Sequence, residues 1–209
     1  MSYLTIRKNY SLGEVLCQDP FVCVIDSFIS VELCDHLVEL AESKMTRATV
    51  VQNGRREISD ARTNQVTFIP NNSDSKLASL VAEVAEMINV PESHAESLQV
   101  INYGPGQHYN PHFDTFNADN PNENGFIEKS GQRIATVLVY LNDVEKGGET
   151  HFPNLGLDIR PQKGRAVIFQ SCEDDSNYPD KNSLHGSRPV EEGQKWAANL
   201  WFRENEFVG

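Results

Sequence analysis

Residues 98–114 read Leu98-Gln-Val-Ile-Asn-Tyr103-Gly-Pro-Gly106-Gln-His-Tyr109-Asn-Pro-His112-Phe-Asp114. An apolar-rich extended run, Leu98–Tyr103, meets the turn signal Gly104-Pro-Gly, and a second extended run opens at Tyr109. Downstream the texture persists: Arg133–Leu141, Glu149–Phe152, Ala166–Gln170 and Ala197–Phe202 read as short strands. Asn142-Asp, Gly147-Gly, Pro161-Gln-Lys-Gly and Glu192-Gly separate them.

Upstream the pattern changes. Phe21–Ser30 reads as a strand ending on a helix cap, Ser30. Val31–Ser43 then sets Leu33, Leu37, Leu40 and Ala41 on one helical face, and Asp74–Asn89 aligns Leu77, Leu80, Val81, Val84 and Ile88 before Pro91. Between these helices, Val66–Ile69 returns to strand character. Helices first and strands after predict an α+β fold. Its core is a double-stranded β-helix (jelly roll) over about 98–205, buttressed by helices and leading strands in about 1–97. The length of 209 residues fits one domain, 1–209.

Two polar segments interrupt the pattern. Residues 45–65 carry Arg47, Arg55, Arg56 and Arg62 with a turn signal at Asn53-Gly54, and are expected to form an exposed, mobile excursion. Residues 117–130 are turn-rich and follow His112 and Asp114 directly, so a loop overhanging that pair is expected.

The pair itself carries chemistry. Residues two apart on a strand face the same way, so His112 and Asp114 can reach one point while Phe113 turns aside. A second histidine, His185, sits in Ser183-Leu-His-Gly, and Lys195 follows it. A turn at Glu192-Gly193 is expected to form a hairpin that folds Lys195 back toward the strand of His185. Two imidazoles and one carboxylate form a facial triad with open positions opposite, the ligand set of non-haem Fe(II) oxygenases. A bare His-x-Asp pair is common, a histidine beside glycine is ordinarily structural, and Zn(II) accepts the same donors. The full combination with a lysine is much rarer. His151 is a conceivable fourth donor, but it would take a position that this chemistry needs open.

Net charge is −12, from 30 acidic and 18 basic residues. Such a surface disfavours nucleic acid and anionic membranes. No window approaches the roughly 18 apolar residues of a membrane span. Cys17, Cys23, Cys34 and Cys172 show no metal-type spacing, and the N-terminal residues lack a secretory pattern, so a cytoplasmic location is expected.

Five stretches resemble the prolyl 4-hydroxylase branch of the Fe(II)/2-oxoglutarate-dependent dioxygenases: Tyr103 to Asp114, Gly131 to Asn142, Gly147 to Pro153, Gly164 to Phe169, and Ser183-Leu-His-Gly through Lys195-Trp. Arg62-Thr-Asn64 is similar to that branch's Arg-Thr-Ser element. The resemblance implies His112, Asp114 and His185 as iron ligands, and Lys195 as partner of the distal carboxylate of 2-oxoglutarate, with Tyr103 and Thr136 lining the same pocket. It implies Tyr109, Arg133 and Trp201 as contacts to a substrate peptide, although the two aromatics can equally be core residues and Arg133 can pair with an acid. The implied reaction couples decarboxylation of 2-oxoglutarate, with O2, Fe(II) and ascorbate as reductant, to hydroxylation of peptidyl proline. The partner is then a proline-containing peptide or protein, and the chain a monomer or homodimer. The same chemistry on a free amino acid or another protein side chain, and a non-catalytic metal-binding jelly roll, remain open at this point.

Overall fold

The computed structural model describes residues 4–52, 55–174, 176 and 178–209, with side chains for all of these except 51–52 and 55–56. The expected turn at Asn53-Gly54 and the side chains of Arg55 and Arg56 lie outside the described residues.

In chain order the strands are β1 (Glu14–Gln18), β2 (Phe21–Ile25), β3 (Thr46–Arg47), β4 (Val50–Gln52), β5 (Arg55–Glu57), β6 (Gln65–Ile69), β7 (Leu98–Tyr103), β8 (Tyr109–His112), β9 (Arg133–Tyr140), β10 (Lys146–Gly147), β11 (Thr150–Phe152), β12 (Leu157–Ile159), β13 (Ala166–Gln170), β14 (His185–Ser187), β15 (Val190–Glu192) and β16 (Lys195–Arg203). The helices are α1 (Val31–Glu42), α2 (Ser75–Ile88) and α3 (Asn124–Ser130). A major sheet runs β1-β2-β13-β9-β16-β7-β6-β3, and a minor sheet runs β12-β11-β14-β8. All pairings are antiparallel, and β10–β15 and β4–β5 form two further ribbons.

Alternation along the central strands explains the layering. In β13, Ala166 and Ile168 pack toward α1 and α2, while Val167 and Phe169 pack between the sheets. β2 divides in the same way, with Phe21, Cys23 and Ile25 outward and Val22 and Val24 inward. The helices cover the outer core through Leu37 and Ala41 of α1 and Leu77, Val81, Val84 and Ile88 of α2. Their ends follow from capping: Ser30 Oγ accepts from Leu33 N, Asp74 accepts from Lys76 N and Leu77 N, and Asn89 closes α2 in the left-handed conformation ahead of Pro91. Among the described residues no helix is long and apolar enough to cross a membrane.

Three expectations need correction. Residues 58–64 are not a loose excursion. Thr63 N and Oγ1 both donate to His108 O, Thr63 Oγ1 accepts from His108 N, and Asn110 N donates to Ala61 O, which stitches this arm onto β8. The polar segment before β9 contains α3, held by tertiary contacts instead of helical periodicity: Phe126 stacks on Phe116, and Arg203 Nη2 donates to Phe126 O. Finally, the chain turns at Gly193 (φ +79°), but β15 pairs with β10 and β16 with β7 and β9. The turn is a crossover between sheets, not a hairpin.

Candidate active site

The minor sheet delivers two histidines. β8 and β14 are antiparallel neighbours with His112 opposite His185, so both imidazoles enter the space between the sheets. Asp114 follows two residues after His112, in a bend just past the end of β8. One ligand atom from each of His112, Asp114 and His185 lies within 4.8 Å of the others. Each Nε2 stands 3.7 Å from an Asp114 carboxylate oxygen, His112 from Oδ1 and His185 from Oδ2.

Hydrogen bonds fix which nitrogen faces inward. Nδ1 of His112 contacts the Asn110 carbonyl at 3.0 Å, and Nδ1 of His185 the Ser183 carbonyl at 2.9 Å. A carbonyl only accepts, so Nδ1 carries the proton and Nε2 presents a lone pair to the shared point. Burial between Phe169 and Phe152 pushes the His185 pKa down to about 4, which keeps that ring neutral. Burial opposes ionisation of Asp114, but the neighbouring His185, His112 and Arg133 outweigh it and hold the carboxyl well below its ordinary range. Thr136 Oγ1 on β9 donates to Asp114 Oδ2 at 2.6 Å. Two imidazoles and one carboxylate, presented from one side, are donors suited to Fe(II). His151 stays outside this group: its Nδ1 is 2.9 Å from Asp158 and 3.1 Å from Arg188.

The major sheet delivers the lysine. Lys195 opens β16 opposite Tyr103 of β7, and its side chain is 1 % exposed. Nζ donates to Ser187 Oγ at 2.9 Å and lies 5.2 and 5.5 Å from the ring centres of Tyr103 and Tyr140. Burial lowers its pKa to about 7, with Glu149 as the opposing acid. Ser187 is on the same strand face as His185, one repeat (about 6.6 Å) along β14. A buried cation is thus hydrogen-bonded to the residue two places along β14 from a triad histidine. Burial pushes the Tyr103 phenol up to about 12, so it remains a neutral donor.

A family model for the 2OG-Fe(II) oxygenase superfamily matches residues 98–203, the span from β7 to the end of β16. The chain belongs to this superfamily, in its prolyl 4-hydroxylase branch. As a member it is a 2-oxoglutarate-dependent dioxygenase using Fe(II) and O2. Prolyl 4-hydroxylase 2 of Arabidopsis thaliana is 36 % identical over 222 residues, covering 95 % of this chain and 72 % of the relative. Prolyl 4-hydroxylase 5 of the same plant is 36 % identical over 215 residues, covering 93 % and 72 %. The viral collagen prolyl hydroxylase of Paramecium Bursaria Chlorella virus-1, solved as a 2OG complex, superposes with a TM-score of 0.69 at 28 % identity, covering 90 % of this chain and 98 % of that one. These neighbours share the double-stranded β-helix that the sequence led us to expect.

The remaining residues singled out in the sequence ring the triad. Trp201 is 5 % exposed, and its Nε1 is buried without an acceptor among the described residues. Arg133 lies 3.7 Å from the Trp201 ring centre, bonds Glu96 through Nε and Nη2 at 2.7 and 2.8 Å, and reaches the Asp114 carbonyl at 3.3 Å. Tyr109 stacks on His112. Phe113 faces outward, 38 % exposed. Sequence reasoning missed Ser187, Tyr140 and Glu96. Ser187 was within reach, because strand alternation places it beside His185. Glu96 was not, because only the tertiary fold brings it to Arg133 and Arg203.

Proposed function

We propose that the chain hydroxylates proline within peptides, with His112, Asp114 and His185 as the iron ligands and Lys195 as the anchor of 2-oxoglutarate. The observation that carries this reading is the buried Lys195 ammonium, which among the described residues hydrogen-bonds a single hydroxyl, that of Ser187, two residues along β14 from His185. Fe(II), 2-oxoglutarate and O2 together supply an oxidant able to take hydrogen from an unactivated C–H bond.

The chain's own residues bind, orient and exclude water. His112, Asp114 and His185 would hold Fe(II) through two imidazole nitrogens and one carboxylate. Lys195 and Ser187 fix the distal carboxylate through a charge-assisted hydrogen bond, roughly twice as strong as a neutral one. Tyr103 flanks that anchor, and Thr136 acts on the Asp114 side of the same pocket. Phe169 and Phe152 keep the His185 side dry. Tyr109, Arg133 and Trp201 are the proposed peptide-facing residues, the free Trp201 Nε1 offering a donor to a substrate carbonyl. Peptidyl proline is chosen because relatives across most of the chain carry prolyl hydroxylase names. Ascorbate is the proposed reductant.

The test is decarboxylation of 2-oxoglutarate by the Fe(II)-loaded chain against proline-rich and proline-free peptides. Succinate formation stimulated by the proline-rich set alone, with hydroxyproline in the product, is expected. Equal stimulation by both sets, or a hydroxylated residue other than proline, overturns the substrate.

A further inference from the structure

His112 and His185 are held in unlike ways. The His185 ring is enclosed, its centre 4.7 Å from Phe169 and 5.6 Å from Phe152. His112 sits at the rim with a side chain 22 % exposed, and its in-plane hydrogen bond runs to the Asn110 carbonyl. That bond fixes one edge of the imidazole but does not by itself prevent tilting. The Tyr109 ring lies flat against it, centroids 3.6 Å apart and planes 18° from parallel. The Arg62 guanidinium lies 4.6 Å from the centre of the Tyr109 ring. One face of Tyr109 is covered by the imidazole, so the guanidinium must occupy the other.

We propose that Arg62 and Tyr109 are positioning residues that clamp the His112 imidazole in the plane in which Nε2 meets the metal. The clamp has a fixed backing. Arg62 Nε donates to Asn64 Oδ1 at 3.0 Å, Nη1 to the Thr49 carbonyl at 3.5 Å and Nη2 to Gln99 Oε1 at 3.4 Å. An isolated antiparallel bridge pairs Arg62 with Tyr109, and the Thr63–His108 and Asn110–Ala61 bonds lie on either side. The arm therefore replaces, for the rim ligand, the enclosure that aromatic core residues give His185. Outer groups that orient a ligating histidine influence metal affinity strongly.

This inference rests on His112 being a metal ligand. Its test is Co(II) titration of the full chain without 2-oxoglutarate or peptide, read by visible ligand-field absorption. Tyr109→Leu is expected to bind Co(II) about 10-fold or more weakly with altered bands, and Tyr109→Phe, which keeps the stacked face, to stay within about twofold of the parent. Arg62→Met is expected to weaken Co(II) binding less than Tyr109→Leu. Parent-like affinity and bands in Tyr109→Leu, with the loss confined to peptide KM, would make Tyr109 a substrate contact alone and overturn the proposal. Should Tyr109→Leu fail to fold, Arg62→Met decides: unchanged affinity and bands overturn it. His112→Ala separates the underlying assumption. If that variant binds Co(II) like the parent, the ligand assignment itself has failed and the clamp falls with it; weakened binding there with parent-like Tyr109→Leu and Arg62→Met overturns the clamp alone.

Discussion

Thr136 Oγ1 donates a 2.6 Å hydrogen bond to Asp114 Oδ2, joining the major sheet to the carboxylate that follows β8. Both groups are buried, so the oxygen has no water to fall back on. Thr136 therefore does more than line a pocket: it fixes the orientation of the carboxylate whose two oxygens face the two histidines.

Thr136→Val keeps the shape and removes the donor. Loss of such an outer hydrogen bond is expected to weaken metal binding by about 10–100-fold, with Thr136→Ser retaining most of it. Metal titration of the two variants checks this; equal affinity in both would leave Thr136 without that role.

Lys195 predicts a proton-linked affinity for 2-oxoglutarate. Its pKa is lowered to about 7 by burial, and a bound carboxylate favours the charged form and raises it again. Below that pKa the ammonium is already present and affinity is flat. Above it each binding event takes up a proton, so Kd rises by up to about tenfold per pH unit until the bound-state pKa is reached. Calorimetry in buffers of different ionisation heat reads the uptake directly. A Kd independent of pH across about 6–9 would mean that the free lysine is already fully charged.

Gly186 separates His185 from Ser187, and a Cβ there would meet the Tyr109 carbonyl at 2.7 Å and Pro111 N at 2.9 Å. Both contacts are with backbone of β8, so Gly186→Ala must push the two histidine strands apart. We expect metal affinity to fall much further than the thermal midpoint of the apo chain. A variant with intact metal binding would show that the strands can separate without disturbing the histidines.

Glu96 serves two arginines, Arg133 and Arg203. Burial raises its pKa, but the two guanidiniums prevail and keep it ionised below the ordinary range. Glu96→Gln removes the carboxylate that bonds both buried arginines and is expected to cost about 3–5 kcal/mol of stability. Denaturant unfolding measures this, and a shift below about 1 kcal/mol would place the arginine charge in better contact with water than the burial indicates.

Legibility followed periodicity. Leu98–Tyr103 and Ala166–Gln170 form strands over the ranges their side-chain pattern gives, and Ser30 and Asp74 cap the helices they precede. β12, β14 and β15 have three residues each, too few for a period to be visible. α3 is hidden for another reason: Asn124-Gly-Phe-Ile-Glu-Lys-Ser has no amphipathic stripe, and the Phe116–Phe126 stack and Arg203 hold it in place. Within the site, spacing pointed to His112, Asp114, His185 and Lys195. Registers and rotamers decide the rest. Neither the Thr136–Asp114 bond nor the commitment of Arg133 to Glu96 has any trace in the local sequence.

The site draws on both layers of the sandwich, with His112 and His185 from the minor sheet and Thr136 and Lys195 from the major. If these residues bind as proposed, ferrous ion and 2-oxoglutarate become rivets between two plates, and whatever binds only the folded chain protects it by mass action. Iron scarcity would then act twice, idling the enzyme and exposing its unriveted chain to proteases, so that cellular abundance would follow iron supply.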